Sequence, residues 1–371
     1  MQQALRLRSA RASLGWRGFA PAGGSQARAD LSEAKSAKCK QVPRGAPAAG
    51  KSGPLMLTYT VKRIGLAVVI LVIVMLAMYA MVFLVPGDPA SVALGPRASP
   101  ALKAALVQRM GLDQPIFVQI WRFFANAATG NLGYDVWSNR PVTELILQSF
   151  PSTLFLGAVS ITWALVCGIA LGCLSVVMRD TWADRFLGVL SVSFISVPSF
   201  VIAIYSLLIF SVWLGWLPAI GAGHPGDFPS QIKAVILPAF AIGITWVGYL
   251  ARLVRASMLE VMEAPHIRTA RAFGLSESRI VLTYALRIAI VPTVAIVAVG
   301  FGSILSSAVF VEAVFSRPGI GTLMTTAVAK RNFPVVMGTV LFMTAFYLFA
   351  VTAADLLIAR LDPRVRDAFR G

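Results

Sequence analysis

"LEVMEAPHIRTARAFGLSESRIVLTYALRIAIVP" (residues 259–292) lies between two long apolar runs and reads as helix, glycine, helix. A short helix is predicted to end near Phe273, where Gly274 can take the left-handed backbone conformation that stops helices at least cost. Ser276 is then placed to cap a second helix, with the Glu277 carboxylate favourable in its first turn. That second helix runs through Ile280, Val281, Tyr284 and Ala285 towards the next apolar run. Arg268 and Arg271 lie three apart and share one helix face, while Ala270 and Ala272 permit close approach by another protein. The bland alternative is a solvated basic connector. An element this ordered is unusual for a simple connection.

The runs on either side set the fold class. The chain has 371 residues, 57% hydrophobic and only 13% charged, with a mean hydropathy of +0.76. A soluble domain carries about 25% charged residues, so half the usual charge is missing, as expected when part of the solvent is lipid. Uncharged stretches long enough to cross about 30 Å of hydrocarbon number six: 64–85, 153–178, 187–213, 234–251, 288–311 and 332–354. Each must be helical, because lipid offers no water to satisfy an open backbone. The expectation is therefore an all-α polytopic membrane protein with six transmembrane helices. Pro198 predicts a kink in the third span, and the fourth helix is expected to continue through Arg252 into solvent.

Basic residues in short loops orient such a chain. Lys62 and Arg63 precede the first span; Arg252, Arg255, Arg268, Arg271, Arg279 and Arg287 separate the fourth from the fifth. The C-terminus carries Arg360, Arg364, Arg366 and Arg370, whereas the loop after the third span has only Lys233. The loop before the sixth span, with Arg317, Lys330 and Arg331, dissents mildly. Both termini on the cytoplasmic side is the best solution. The net charge of +17 thus belongs to loops and a tail, and implies no nucleic acid.

Residues 1–55 hold ten Lys/Arg against two Asp/Glu and no apolar periodicity long enough to pack. A segment of that kind is expected to be disordered. Its composition also suits an organellar transit peptide. A third reading, preferred here, is that translation starts at Met56, leaving 56–371 as the transport domain. Within this tail "GAPAAGKS" (45–52) fits G-x-x-x-x-G-K-[ST], the pattern of a phosphate-binding loop. Such a loop needs a buried strand before it and a helix at its end. "AKCKQVPR" supplies no strand, Gly53-Pro54 is poor material for the helix, and the octet reads as coincidence.

With the spans placed, "EAPHIRTARAFGLSESRIVLTYALRIAIVP" (263–292) resembles the cytoplasmic EAA-type loop of ABC importer permeases. More narrowly it is similar to the B-type permeases of dipeptide/oligopeptide importers, within the binding-protein-dependent transport permeases. The resemblance extends over nearly everything from Met56: "LVPGDPA" (84–90), the segment 111–146, "SVPSF" (196–200), "LGWLPAIG" (214–221), "VFVEAVFSRPGIGTLMTTAVAKRNFPVV" (309–336) and "LDPRVR" (361–366). It implies the type I ABC importer permease fold in a bacterial inner membrane, with cytoplasmic coupling helices between spans four and five. It also implies partners: a second, C-type permease, two ATP-binding cassette subunits and an extracytoplasmic solute-binding protein. ATP would be hydrolysed by the cassette subunits, with no cofactor and no bond chemistry in this chain. Coupling to the ATPase would fall to Glu263, Arg268, Thr269, Ala270, Arg271, Ala272 and Gly274. Phe273 departs from the family, which commonly has Lys before the glycine, and Pro265 stands where an aromatic or charged residue is frequent. Di- or oligopeptides are the implied solute; relatives carry nickel, glutathione, sugars or haem.

Other residues carry less. His224 and His266 are the only histidines and lie far apart, and Cys39, Cys167 and Cys173 follow no metal or disulfide spacing. Asp355, near the inner end of the last span, is an intramembrane acid whose nearness to Arg360 suggests a structural pair. Glu312, at the outer end of the fifth span, is a candidate to gate or brace the outer vestibule. Gly300, Gly302, Ser303 and Ser306 suit close helix packing. A secondary transporter would need mid-membrane acids or histidines for ion coupling, which the spans almost lack, and a membrane hydrolase would need a nucleophile and base that nothing here supplies.

Overall fold

Long apolar runs leave the backbone no partner but itself, and all of them fold as helix in the computed structural model, which describes residues 53–84, 99–110, 113–224 and 226–361. The octet at 45–52, the tail before it, most of "LVPGDPA" and the closing "DPRVR" lie outside the described residues. The chain divides into two units, Met1–Met56 and Leu57–Gly371, and the helical bundle belongs to the second.

The helices in order are α1 (Gly53–Leu84), α2 (Pro100–Met110), α3 (Ile116–Ala128), α4 (Val142–Val177), α5 (Trp182–Ser196), α6 (Ser199–Ser206), α7 (Phe228–Met262), α8 (Pro265–Ala272), α9 (Leu286–Val314), α10 (Ile320–Ala329) and α11 (Phe333–Leu361). Gly53 and Pro54 do open a helix, against the expectation from composition, because proline is tolerated where the first-turn N–H groups have no partner anyway. α1, α4, α7, α9 and α11 contain the first, second, fourth, fifth and sixth expected spans to within one residue at the ends. α7 runs past Arg252 to Met262 as expected.

The third span is a break rather than a kink. α5 and α6, with the π-helical turn Leu207–Trp213 that extends α6, meet at 100°. The cause is local: proline excludes the α conformation from the residue before it, so Val197 is extended (ψ 125°). Pro198 is extended too (ψ 140°) and starts a new helix, its carbonyl accepting from Val201 N–H at 3.0 Å. Two extended residues in a row redirect the chain where one kinked residue would only bend it.

α7 is the centre of the bundle, packed against α4, α5, α6 and α9. Its closest neighbour is α4, through Gly168 and Gly172, four residues apart on one face. A Cβ at Gly168 would stand 2.7 Å from Leu250 Cβ, and one at Gly172 equally close to Val254 Cβ. Helices in lipid gain from such contact because dispersion replaces the missing hydrophobic drive. Gly300 and Gly302 of α9, expected to pack closely, receive the rings of Trp246 and Tyr347.

Three apolar clusters mark levels along the bundle. One holds Met75, Tyr79, Leu132, Val142, Ile146, Ile320 and Val335. A second, between α4, α7 and α9, holds Leu156, Leu237, Ile242, Ile304 and Phe315. The third, at the opposite end from the first, holds Cys173, Val176, Val254, Met258, Ile267, Ile280 and Ala285. The segment before α4 is pinned at the first end by Asp135, which accepts from Trp137 N–H at 3.1 Å and from the side chains of Ser138 and Asn332. Partial burial works against the Asp135 anion, but these donors outweigh it and hold the carboxyl below the usual range.

Candidate coupling site

At the third cluster α7 ends at Met262, Glu263 closes it, and Ala264 swings to an extended conformation (ψ 149°) that lets Pro265 take the first position of α8. Pro265 therefore sets where α8 begins. Ile267 and Ala270 point inward onto Val254, Met258, Ile280 and Val281, which fixes the rotation of α8 about its axis. Arg268, Thr269, Arg271 and Ala272 are left on the surface.

The end of α8 follows the sequence reading closely. Leu275 N–H reaches back to Ala270 O at 3.3 Å and Gly274 N–H to Arg271 O at 2.9 Å, the paired bonds of a Schellman turn. Gly274 has φ +75°, as that turn requires. Leu275 then packs on the third cluster, completing the apolar contact that accompanies such turns. Ser276 stands at the next N-terminus, but its side chain makes no capping bond; its carbonyl accepts from Ile280 N–H at 3.0 Å. A short turn (Glu277–Arg279) and a π-helical segment (Ile280–Ala285) lead without interruption into α9.

Besides Gly274, the expected residues divide into three groups. Glu263, Arg268 and Arg271 line one open recess of about 330 Å³ with Leu259, Met262 and Glu277. Within it Arg271 is occupied: Nε and Nη2 donate to the two Glu277 oxygens at 2.6 and 3.3 Å, a clip across the Gly274 turn. The Glu277 carboxylate raises the Arg271 pKa. Ala270 faces the protein's own core, so the expectation that it lies open to another protein gives way to an internal role. Thr269 and Ala272 remain exposed, and Thr269 Oγ1 donates to Pro265 O at 3.1 Å. Phe273, outside the expected set, is 80% exposed at the tip of the turn. Its signal was its oddity: an aromatic where the resembling loops carry a lysine.

A second feature at this end was not foreseen. Arg255 of α7 grips Asp184 of α5 with Nε–Oδ1 and Nη2–Oδ2 distances of 2.9 and 2.7 Å, and its Nε also reaches Ser175 Oγ of α4 at 2.9 Å. The Ser175 hydroxyl itself donates to Asp184. Three helices are thereby tied directly behind α8. Asp184 gave no sign of this, since an acid in a helix's first turn behind Thr181 already has a local explanation.

The two remaining candidates are structural. Asp355 pairs with Arg63 of α1, joining the first and last spans; the Arg360 side chain named beside it lies outside the described residues. Glu312 is fully buried at the far end of α9, where Oε2 accepts from Gly321 N–H at 2.8 Å and Thr153 lies against the carboxylate. Thr153 Oγ1 accepts from Ile320 N–H at 2.9 Å, so two side chains satisfy the first N–H groups of α10. A Cβ at Gly319 would fall 2.3 Å from the Glu312 carboxylate, which explains the glycine in "RPGIG". This geometry is that of a brace.

Apolar spans packed around one central helix, with a polar helix-turn held at one end, make a polytopic helical membrane protein. The chain belongs to the family described as binding-protein-dependent transport system inner membrane component, whose model matches residues 164–367, while a model for the N-terminal part of such components matches 56–157. Over 311 residues, 84% of this chain and 99% of theirs, it is similar to the glutathione transport system permease protein GsiC of Escherichia coli (strain K12) at 36% identity and to that of Salmonella paratyphi A at 37%. Among solved structures, the inward-facing MetNI methionine ABC transporter shares the fold, with a TM-score of 0.50 at 19% identity over 59% of this chain and 96% of that one. The protein is thus a multi-pass inner-membrane permease subunit of an ABC importer, with the type I permease fold, and not an enzyme.

Proposed function

We propose that this permease is the B-type half of an importer for di- or oligopeptides, glutathione (itself a tripeptide) among them. Its partners would be a C-type permease, two ATP-binding cassette subunits that hydrolyse ATP, and an extracytoplasmic solute-binding protein. The observation that carries this reading is the α8 turn, which holds Arg268, Thr269, Ala272 and Phe273 bare on a base of buried Ile267 and Ala270. A docking surface works best when its own shape is fixed beforehand, because little ordering entropy is then lost on binding. Glu263, Arg268, Thr269, Arg271, Ala272 and Gly274 form or shape this surface, Ala270 anchors it from within, and Phe273 is its apolar tip. In this reading the α8 end and both termini face the cytoplasm. Closure of the cassette dimer on ATP moves α8 and shifts the bundle between inward- and outward-facing packings.

The experiment is uptake of a labelled dipeptide by cells lacking their own peptide importers and expressing this permease with its partners. ATP-dependent uptake should be competed by unlabelled peptides and glutathione, and the cassette subunits should co-purify with the permease but less with Phe273→Ala. Uptake of another solute that peptides do not compete would overturn the substrate. Absence of co-purifying ATPase from the active complex would overturn the coupling.

The same proposal assigns transport to residues 56–371. A chain begun at Met56 should therefore reach the membrane and transport as the full chain does; loss of uptake at normal membrane levels would show that residues 1–55 contribute.

A further inference from the structure

The apolar face of α3 (Ile116–Ala128) spans two neighbouring stripes, and only one of them is packed. On the inner side Ile120, Phe123, Phe124 and Ala127 rest on the cluster around Met75, Tyr79 and Leu132. The Tyr79 ring meets Phe123 edge-on at 6.5 Å, and its hydroxyl donates to Gln119 O at 3.4 Å. On the outer side Phe117 and Trp121, one helical turn apart, are 84% and 74% exposed, and exposed Ala125 and Ala128 continue the stripe. Arg122 is exposed beside it.

The level of this stripe follows from the helix on which α3 sits. The uncharged run within α1 is 64–84, 21 residues. At 1.5 Å per residue that is about 31 Å, close to the hydrocarbon thickness of a bilayer. Tyr79 lies five residues from the end of this run, about 7 Å along the helix, so a helix seated on Tyr79 is held within the roughly 5–10 Å to which interfacial helices sink below the headgroups. Three other exposed tryptophans lie at the ends of the bundle as well. Trp213 and Trp216 lie at this end of the bundle, where Gly221 N–H bonds Phe315 O, and Trp182, stacked on Phe186, lies at the other. Indole rings concentrate at both edges of a bilayer because they are apolar in body and polar at one atom.

We infer that α3 is an interfacial helix whose Phe117–Trp121 face is seated in the boundary between lipid headgroups and acyl chains, at the end of the bundle opposite α8. A protein partner fits the face less well. Two large side chains and two alanines fall far short of the roughly 20–30 residues a side that a stable protein interface buries. A Phe–Trp stripe flanked by arginine is instead the composition of helices that lie in membrane interfaces. The consequence is mechanical: α3 holds the outer part of α1 and the start of α4 at a fixed depth while the rest of the bundle changes packing.

The test is a nitroxide at position 117 or 121, introduced as Phe117→Cys or Trp121→Cys in the assembled transporter with Cys39, Cys167 and Cys173 replaced by alanine. The labelled complex is reconstituted in phosphatidylethanolamine–phosphatidylglycerol nanodiscs. Both labels should relax strongly with oxygen, be shielded from an aqueous nickel chelate, and report a depth near the phosphates, unlike a label at exposed Glu144. Labels as open to nickel as that control would overturn the inference. So would labels immobilised and shielded from both reagents, which would place a protein on the face. If the cysteine-free chain fails to assemble, bromine-tailed lipids test the parent: they should quench a fluorescence component that is lost in Trp121→Phe. Equal quenching in parent and variant would refute the assignment.

Discussion

Gly274→Val is expected to abolish most ATP-dependent uptake while leaving the spans intact. The glycine stands at φ +75°, and a Cβ placed on it would meet nothing within 4 Å, so the effect is one of backbone conformation and not of steric clash. A β-branched residue at positive φ is a genuine outlier, and strain of this kind is worth about 1–3 kcal/mol. Relief would come by opening the Schellman turn, whose two bonds and Leu275 contact set the direction in which the chain leaves α8 and enters α9. The Arg271–Glu277 clip is too exposed to hold the turn alone. Because about 1.4 kcal/mol is a tenfold change, uptake and cassette co-purification should fall about tenfold or more. Asparagine tolerates the left-handed region, so Gly274→Asn should keep most activity. Normal transport by Gly274→Val, or equal losses in the two variants, would show that the turn's conformation is not what matters.

Asp184→Ala should lower the thermal stability of the solubilised complex more than any other single change at the α8 end. Its carboxylate is the shared acceptor for Arg255 and Ser175, and its removal leaves a cation and a hydroxyl facing apolar helices. Breaking one side of a buried pair costs about 3–5 kcal/mol. The Arg255 side chain is 36% exposed against 7% for Asp184, which places the expected loss at the lower end. Ser175→Ala should cost less, about 1–2 kcal/mol, because the ion pair survives. The informative variant is Asp184→Leu with Arg255→Met, which replaces charges by volume. Recovery of most of the lost stability is expected, since apolar replacements of buried pairs are often neutral or better. If Asp184→Ala melts with the parent, the clasp contributes nothing and the three helices are held by packing alone.

The contrast between these two sites shows what could be read in advance. Gly274 was legible because everything that acts on it is within a few residues: a helix must stop, and a glycine there stops it most cheaply. The extension of α7 past Arg252 was legible for the same reason. The Asp184–Arg255 pair was not, because its partners are 71 residues apart and each had an adequate local reading. Glu312 could be singled out as a buried acid, but its role depends on Thr153 and Gly321, which come from α4 and the start of α10. Ala270 was read as a contact for another protein because helix periodicity says which residues share a face and not what that face meets.

The sequence alone determined a lipid-embedded helical bundle, the approximate limits of its spans, and a helix-turn element with its stop at Gly274. These are local consequences of hydropathy, backbone sterics and the need of each peptide group for a partner. Tertiary structure alone decided the central place of α7, the inward face of α8, and the pairings Arg63–Asp355, Asp184–Arg255 and Glu312–Gly321. Each of these depends on how helices far apart in the chain cross. That crossing is set by small-residue contacts such as Gly168–Leu250 and Gly172–Val254, whose partners no local pattern names.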